Sequence, residues 1–158
     1  MIKNIIFDMG NVLLKFDRNY FLDAVGVKPA DRRTLMNNVY LSLEWAKMDR
    51  GSMTEEEAAA SMCSRLPERL HEQAHLLVDR WDRPILPVPG MAELVRELKE
   101  AGYGVYLLSN ASYRQHEYWP RVPGSEYFDG TLISADVKLV KPCAEIYELL
   151  YSTFDLTP

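Results

Sequence analysis

The first segment of the chain constrains its fold most strongly. Apolar and β-branched residues over 2–7 predict a buried strand, which ends on Asp8 and is followed by Gly10 and Asn11. Because α/β proteins bind ligands at the carboxyl ends of parallel strands, Asp8 is a candidate site residue. An aspartate that only turns the chain after a strand explains the same pattern, so the first segment alone leaves both interpretations open.

The order of the remaining elements predicts an α/β fold. Helical periodicity fills residues 15–85, between the first strand and a second apolar strand over 104–110. A helix over 91–101 precedes the second strand, a short third strand follows over 131–134, and a last helix begins after Pro142. Right-handed connections make such a sheet parallel, with a helical insertion after its first strand.

Four helices are predicted within the insertion. Apolar residues recur at helical spacing over 19–25, 30–48, 54–65 and 67–81. Thr54 followed by Glu57 is typical of a capping box, in which each side chain binds the backbone N–H of the other residue at the start of a helix. We therefore expect the insertion to form a separate small bundle.

Composition excludes several classes of function. Among 158 residues, 18 Lys and Arg stand against 23 Asp and Glu, and the net charge of −5 argues against non-specific nucleic-acid binding. No apolar run approaches the roughly 18 residues that span a bilayer, so we expect no membrane segment. The chain opens on the predicted strand without a secretory pattern, and its two cysteines lie far apart, which predicts a cytoplasmic protein.

Polar residues that follow the predicted strands suit attack on phosphorus. The edge of the sheet would gather Asp8, Ser109 with Asn110, and the loop that carries Lys141. Asp8 would attack and form an acyl phosphate. Ser109 and the backbone N–H groups of the first loop would bind the phosphoryl oxygens, Lys141 would neutralise their charge, and Mg²⁺ would screen the substrate. Taken singly, Ser109 as a helix cap and Lys141 as a solvated surface residue are the alternatives.

Three motifs together resemble the first three motifs of the haloacid dehalogenase superfamily. They are Asp8-Met9-Gly10-Asn11-Val12, Leu107-Leu108-Ser109-Asn110 and Lys141-Pro142. The helical insertion resembles the small cap that this superfamily inserts behind its first strand. The spelling of the first motif, and the stretch from Trp45 through Arg50-Gly51, are similar to its sugar-phosphate phosphatase branch, which includes glucose-1-phosphatase-like enzymes.

The resemblance implies a Rossmann-like three-layer core, formed by residues 1–14 and 86–158, and an all-helical cap, formed by residues 15–85. It implies a phosphatase of small phosphorylated metabolites that works through an aspartyl-phosphate intermediate and uses Mg²⁺. The positions that match the family's motifs are Asp8 and Lys141 for catalysis, Gly10, Asn11, Ser109 and Asn110 for substrate binding, and Asp8 with the Gly10 carbonyl for the metal.

The chain departs from the family pattern in two respects. Most phosphatases of the superfamily carry a second aspartate, a general acid and base, where this chain has Gly10. The fourth motif, an acidic pair after a further strand, is not found. We therefore expect a truncated form of a longer protein, with weak Mg²⁺ affinity, low activity and an exposed edge on its first strand. Two copies could pair through that edge.

Three rival interpretations remain open. His71-Glu72-Gln73-Ala74-His75 has the spelling of a zinc peptidase, with a solvated helix face as the alternative. A metal-independent dehalogenase of the same superfamily would use Asp8 and an arginine of the cap, for which Arg32 or Arg33 could serve. A non-catalytic binding fragment would recruit a partner through the cap or the edge strand. Trp45 could line the substrate pocket or pack in the cap core.

Overall fold

A single parallel sheet organises the protein, whose computed structural model describes residues 2–157. The strands are β1 (Asn4–Phe7), β2 (Gly104–Ser109) and β3 (Gly130–Ile133). Their order is β1–β2–β3, with Ile5 opposite Val105 and Leu107 opposite Thr131. The predicted α/β class with a parallel sheet is therefore confirmed, and β1 forms one edge of the sheet within the described residues.

The described residues, 2–157, contain nine α-helices. They are α1 (Arg18–Ala24), α2 (Arg32–Leu35), α3 (Leu43–Asp49), α4 (Glu55–Cys63), α5 (His71–Asp79), α6 (Met91–Glu100), α7 (Gln115–Tyr118), α8 (Ser134–Val137) and α9 (Ala144–Phe154). The longest of them, α9, has 11 residues. Across the described range, no helix combines the length and apolarity that crossing a membrane requires.

Both faces of the sheet are covered. Successive residues of a strand point to opposite faces, and Leu107 and Leu108 of β2 accordingly belong to different apolar clusters. Leu107 packs in the cluster that contains Val95 of α6, whereas Leu108 packs in the cluster that contains Ile146 of α9. The sheet therefore lies between helical layers, and β2 is buried over most of its length, as parallel strands usually are.

The helical insert, residues 15–85, has an apolar cluster of its own. Its fully buried members include Leu22, Leu35, Met62 and Leu77, which come from four different helices. The insert leaves and rejoins the sheet through neighbouring segments, because Lys15 N donates to Leu86 O at 2.8 Å and Val88 N donates to Leu13 O at 2.9 Å. The division at residues 14 and 86 stays a prediction.

Local signals explain where the insert was predicted well and where it was not. The capping box of α4 forms, with Glu57 N 3.2 Å from Thr54 Oγ1 and Thr54 N 2.9 Å from Glu57 Oε2. The prediction of one helix over 30–48 is wrong. A π-helical turn over Met36–Tyr40 follows α2, and α3 begins afresh because the Ser42 hydroxyl accepts the Trp45 N–H at 3.2 Å.

Candidate active site

The structure brings Asp8 and Lys141 together at the carboxyl ends of the strands. Lys141 Nζ lies 2.8 Å from Asp8 Oδ1, and it also donates to the Leu108 carbonyl oxygen at 2.8 Å. One ammonium group therefore ties the end of β1 to the end of β2. Asp8 Oδ1 accepts a second hydrogen bond from Met9 N at 2.7 Å, whereas no hydrogen bond within residues 2–157 involves Asp8 Oδ2.

Ser109 and Asn110, which end β2, have different surroundings. Ser109 is 2% exposed, and its hydroxyl makes no hydrogen bond to another residue of the described chain. Asn110 uses its whole side chain on the backbone of Lys141, because Nδ2 donates to Lys141 O at 3.1 Å and Oδ1 accepts from Lys141 N at 2.8 Å. The side chain of Asn110 thus holds the lysine loop.

The loop after β1 is shaped by Gly10 and Asn11. Asn11 adopts a left-handed conformation with φ of 59°, which asparagine tolerates better than most residues, and its Oδ1 accepts from Phe16 N at 2.9 Å. A Cβ added at Gly10 would meet no atom within 4 Å, so that position opens onto free space. The Asn11 side chain therefore fixes the loop, and Gly10 leaves its backbone accessible to a ligand.

A cavity of about 250 Å³ lies between the strand ends and the helical insert. Gly10, Asn11, Ser109 and Asn110 are among its lining residues. Asp8 and Lys141 are not: Lys141 lines an adjacent hollow. Two residues, Asp49 and Asn110, line both spaces.

Aromatic side chains of the insert form the far wall of the cavity. Phe16, Trp45 and Trp81 all line it, and the Phe16 ring centroid lies 5.8 Å from that of Trp45 and 5.1 Å from that of Trp81. Trp45 also packs against the apolar cluster of the insert. Trp45 therefore packs in the insert, as considered from the sequence, and also lines the cavity, whose role as a substrate pocket stays a prediction.

Sequence reasoning missed three charged residues of this wall: Arg18, Asp49 and Glu55. Burial raises the pKa of Asp49 to about 7, and the nearby Glu55 carboxylate acts in the same direction. Glu55 Oε1 accepts from Ser112 Oγ at 2.6 Å and from Arg114 N at 3.3 Å, so it bridges the insert and the core. The only local signal for Asp49 was its place at the end of a helix, just before Gly51.

Three contacts seat the loop after α3 on α8. The Ser134 hydroxyl donates to the Asp49 carbonyl oxygen, and Lys138 Nζ donates to the Gly51 carbonyl oxygen. Gly51 has φ of 71°, and a Cβ added there would overlap the carbonyl oxygen of Ala135. Glycine is therefore required at this position both for its conformation and for the close approach of two backbones.

The arginines and histidines singled out by the rival interpretations lie elsewhere. Arg32 pairs with Asp23 and, like Arg33, is not part of the cavity wall. His71 Nε2 lies 3.0 Å from the Leu66 carbonyl oxygen, and the His75 side chain is half exposed beside Asp79. Across residues 2–157, no group of three His, Cys, Asp or Glu side chains is placed to hold a metal ion, so the peptidase interpretation has no structural support.

The oxygen donors at the end of β1 are compatible with Mg²⁺. The Asp8 side chain is 48% exposed, and Gly10, whose carbonyl accepts no hydrogen bond within the described residues, borders open space. Mg²⁺ commonly binds through one or two carboxylates, keeps several waters and takes further oxygens from a substrate phosphate. One carboxylate oxygen and one carbonyl therefore fit a magnesium site that a phosphate completes.

Fold and site together define a class: an α/β protein whose ligand site lies at the carboxyl ends of parallel strands, beneath a helical insert. The chain belongs to the haloacid dehalogenase-like hydrolase family, whose family model matches residues 2–158. The predicted superfamily is thus confirmed.

Three solved structures share this fold. A haloacid dehalogenase family enzyme from Bacteroides thetaiotaomicron, in complex with magnesium and inorganic phosphate, is 21% identical with a TM-score of 0.72, over 99% of this chain and 80% of that one. A predicted hydrolase of the same family from Porphyromonas gingivalis is 21% identical with a TM-score of 0.69, over 100% and 78%. L-2-haloacid dehalogenase from Xanthobacter autotrophicus, with chloropropionic acid covalently bound, is 18% identical with a TM-score of 0.67, over 100% and 67%. At these identities the likeness concerns the fold alone.

Proposed function

We propose that this hydrolase is a phosphatase of small phosphate monoesters that works through an aspartyl-phosphate intermediate. The observation that carries the proposal is the 2.8 Å pair between Asp8 and Lys141 at the sheet edge where β2 ends on Ser109, whose hydroxyl has no hydrogen-bond partner among the described residues. A carboxylate, a cation and a free hydroxyl at one sheet edge supply a nucleophile, charge neutralisation and a hydrogen-bond donor for a phosphoryl group.

The two oxygens of Asp8 suggest a division of labour. Oδ1 is held by Lys141 Nζ and Met9 N, so Oδ2 is the oxygen left to attack phosphorus. Ser109 Oγ and the N–H of Gly10 bind the phosphoryl oxygens, because the N–H groups of residues 11–14 already donate to the Met9 and Leu14 carbonyl oxygens. Lys141 offsets part of the negative charge on the phosphoryl oxygens. Asn110 acts on Lys141 through the backbone of residue 141 and fixes where the ammonium group stands.

Mg²⁺ suits this chemistry as a resident cofactor. Asp8 and the Gly10 carbonyl would hold it, in keeping with the magnesium bound to the Bacteroides enzyme of the same fold. A bound Mg²⁺ neutralises phosphate charge and orients the phosphoryl group towards the nucleophile.

The cavity favours a small substrate. About 250 Å³ accommodates a metabolite rather than a polymer, and the walls combine the aromatic rings of Phe16, Trp45 and Trp81 with the guanidinium of Arg18. Aromatic faces pack against the C–H surface of a sugar ring, and polar groups at the rim bind its hydroxyls. These features support the sugar-phosphate branch of the family.

A second candidate function is hydrolysis of a 2-haloacid. It is favoured by the likeness to the Xanthobacter dehalogenase and by Arg18 on the cavity wall, where an arginine could bind a substrate carboxylate. Arg18 thereby takes the role that the sequence suggested for Arg32 or Arg33. Both functions use the same nucleophile, so substrate assays decide between them.

The test compares phosphate and halide release by the unaltered protein and by Asp8→Asn. With Mg²⁺ and p-nitrophenyl phosphate, the unaltered protein should release phosphate, and a rapid acid quench should trap protein-bound phosphate. The Asp8→Asn variant should do neither, because an amide is a poor nucleophile. Asp155→Asn, a conservative change at an exposed left-handed position far from the site, is the matched control.

Two results would contradict the proposed phosphatase function. Chloride release from 2-chloropropionate without phosphate release would assign the dehalogenase instead. Phosphate release that survives in Asp8→Asn would remove the proposed nucleophile.

A further inference from the structure

The proposed reaction leaves a negative charge on the departing oxygen, and a nearby acid must supply a proton when that oxygen is a poor leaving group. The loop after β1 offers none, since Gly10 has no side chain. Four ionisable residues line the cavity: Arg18, Asp49, Glu55 and Tyr118. The acid is to be sought among them.

Three of the four are unsuited to the task. The guanidinium of Arg18 does not give up its proton in proteins. Burial raises the pKa of Tyr118, and Asp49 and Asp82 act in the same direction, so its phenol is a very weak acid. Glu55 Oε1 accepts hydrogen bonds from the Ser112 hydroxyl and the Arg114 N–H, so this carboxylate serves as an acceptor that ties the insert to the core.

Asp49 differs from these three in position. It ends α3 and lines both the cavity and the hollow that Lys141 lines, and its carboxyl group is close enough to Glu55 and Tyr118 of the cavity wall to influence their charges. Its own backbone is fixed by the Ser134 hydroxyl, and the next turn is held to α8 through Gly51. Such anchoring keeps the side chain in one place, as proton transfer in an active site requires.

We propose that Asp49 is the general acid of this enzyme, protonating the leaving oxygen in the first step and accepting a proton from water in the second. The assignment rests on the proposed phosphatase function.

The electrostatic surroundings agree with this role. Burial, together with the nearby Glu55 carboxylate, raises the pKa of Asp49 to about 7, so much of the carboxyl group is protonated near neutral pH. A general acid works best with a pKa close to the operating pH. The charged and titratable groups that share its two spaces are Arg18, Lys47, Arg50, Glu55, Tyr118 and Lys141.

Atoms and charges balance in both steps. Asp8 Oδ2 forms a bond to phosphorus as the bond to the leaving oxygen breaks, and that oxygen takes the Asp49 proton to give a neutral alcohol. A water molecule then attacks phosphorus, the bond to Asp8 breaks with its electron pair returning to the carboxylate, and Asp49 takes the proton released by water. The products are the alcohol, phosphate and the original protein.

The test uses two substrates of similar shape with leaving groups of different basicity. Phenyl phosphate releases a phenol with a pKa near that of tyrosine, about 10, whereas p-nitrophenyl phosphate releases a much weaker base that needs no proton. In single turnovers with Mg²⁺, Asp49→Asn should slow phenol release by about 10²-fold or more and leave nitrophenol release nearly unchanged. Asp49→Glu should recover part of the loss, and Asp79→Asn, at the exposed end of α5, should behave as the unaltered protein.

A pH profile and a titration give independent readouts. Phenol release by the unaltered protein should fall as pH rises through about 7, and this limb should be absent in Asp49→Asn. Carbon-13 spectra of the aspartate carboxyl groups should show one midpoint near 7 that the variant lacks.

The outcomes separate the two proposals. Three results would overturn the assignment of Asp49 as the general acid and leave the phosphatase function standing. They are equal slowing of both substrates in Asp49→Asn, no slowing of either, and a titration midpoint of Asp49 in the ordinary aspartate range. Failure of the unaltered protein to release phosphate from either substrate would overturn the proposed function, and the acid with it.

Discussion

Asp82 is a buried charge on which the junction between insert and core depends. Its side chain is 0% exposed, and Oδ1 accepts from Arg114 Nε at 2.8 Å. Arg114 Nη2 lies 2.8 Å from the same oxygen, while Arg121 Nη2 binds Oδ2 and Arg83 Nε lies 3.9 Å from it. One carboxylate therefore faces three guanidinium groups, and the Asp82→Ala change leaves them together without their counter-ion.

The magnitude follows from burial. Removing one partner of a buried ion pair typically costs about 3–5 kcal/mol of unfolding free energy, because the remaining charge is left uncompensated. Arg114 is 10% exposed but Arg121 is 42% exposed and turns to solvent more easily, so we expect about 3 kcal/mol, the lower end. Urea denaturation of Asp82→Ala at pH 7, compared with the unaltered protein, measures this loss.

The pH dependence has a definite sign. Burial alone would raise the pKa of Asp82, but the hydrogen bonds from Arg114 and Arg121 outweigh it and hold the pKa below its usual value. A depressed pKa in the folded state gives stability that is present above the unfolded pKa, about 3.9, and is lost as pH falls through the folded value. The stability difference between the two proteins should therefore be constant near neutral pH and shrink only below about pH 4.

A small effect would refute this reasoning. The control Asp79→Ala removes an aspartate three residues away. Its side chain is 46% exposed and lies 4.0 Å from His75, so its loss should change the free energy of unfolding by no more than about 0.5 kcal/mol. If Asp82→Ala is as mild as this control, the buried cluster does not hold the junction.

Two further predictions concern the insert. Gly51→Ala should lose more stability in urea than Gly26→Ala, because both have φ near 70° but only the Gly51 substituent meets the Ala135 carbonyl. The conformation alone costs about 1–2 kcal/mol, and an equal loss in the two variants would contradict the close contact. Glu44→Gln should destabilise by about 1–3 kcal/mol at neutral pH, since the Arg65 hydrogen bond lowers the pKa of Glu44 to about 2. That difference should fade as pH drops from about 4.5 towards 2 in pH-dependent denaturation, and a difference that persists at pH 2 would contradict it.

Local patterns made much of the fold and part of the site predictable. The apolar run that ends before Asp8 and the capping box at Thr54 depend on residues close together in the chain. The local sequence is therefore enough to predict β1 and the start of α4. The meeting of Asp8 with Lys141 followed from topology, because parallel strands deliver their ends to one edge.

Tertiary packing explains what the sequence concealed. Met48-Asp49-Arg50-Gly51 has the composition of an ordinary solvated helix end, and only the approach of α4 and α8 removes Asp49 from water and brings Glu55 beside it. Asn110 was predicted to bind substrate, yet in the folded chain its side-chain amide forms two hydrogen bonds with the backbone of Lys141. Lys141 lies 31 residues from Asn110 and Ser134 lies 85 residues from Asp49, beyond the reach of any local pattern.

Hydrogen bonds that join the strand ends prepare the site before a substrate arrives. Lys141 is bound by Asp8 and Leu108 through its amine and by Asn110 through its backbone, so its position is determined by two strands at once. The insert adds a third tie, because Ser134 at the end of β3 holds the turn that carries Asp49. Asp8, the Lys141 ammonium and the turn that carries Asp49 are therefore all held by contacts at the strand ends, and the proposed electrostatic catalysis needs such groups oriented in advance.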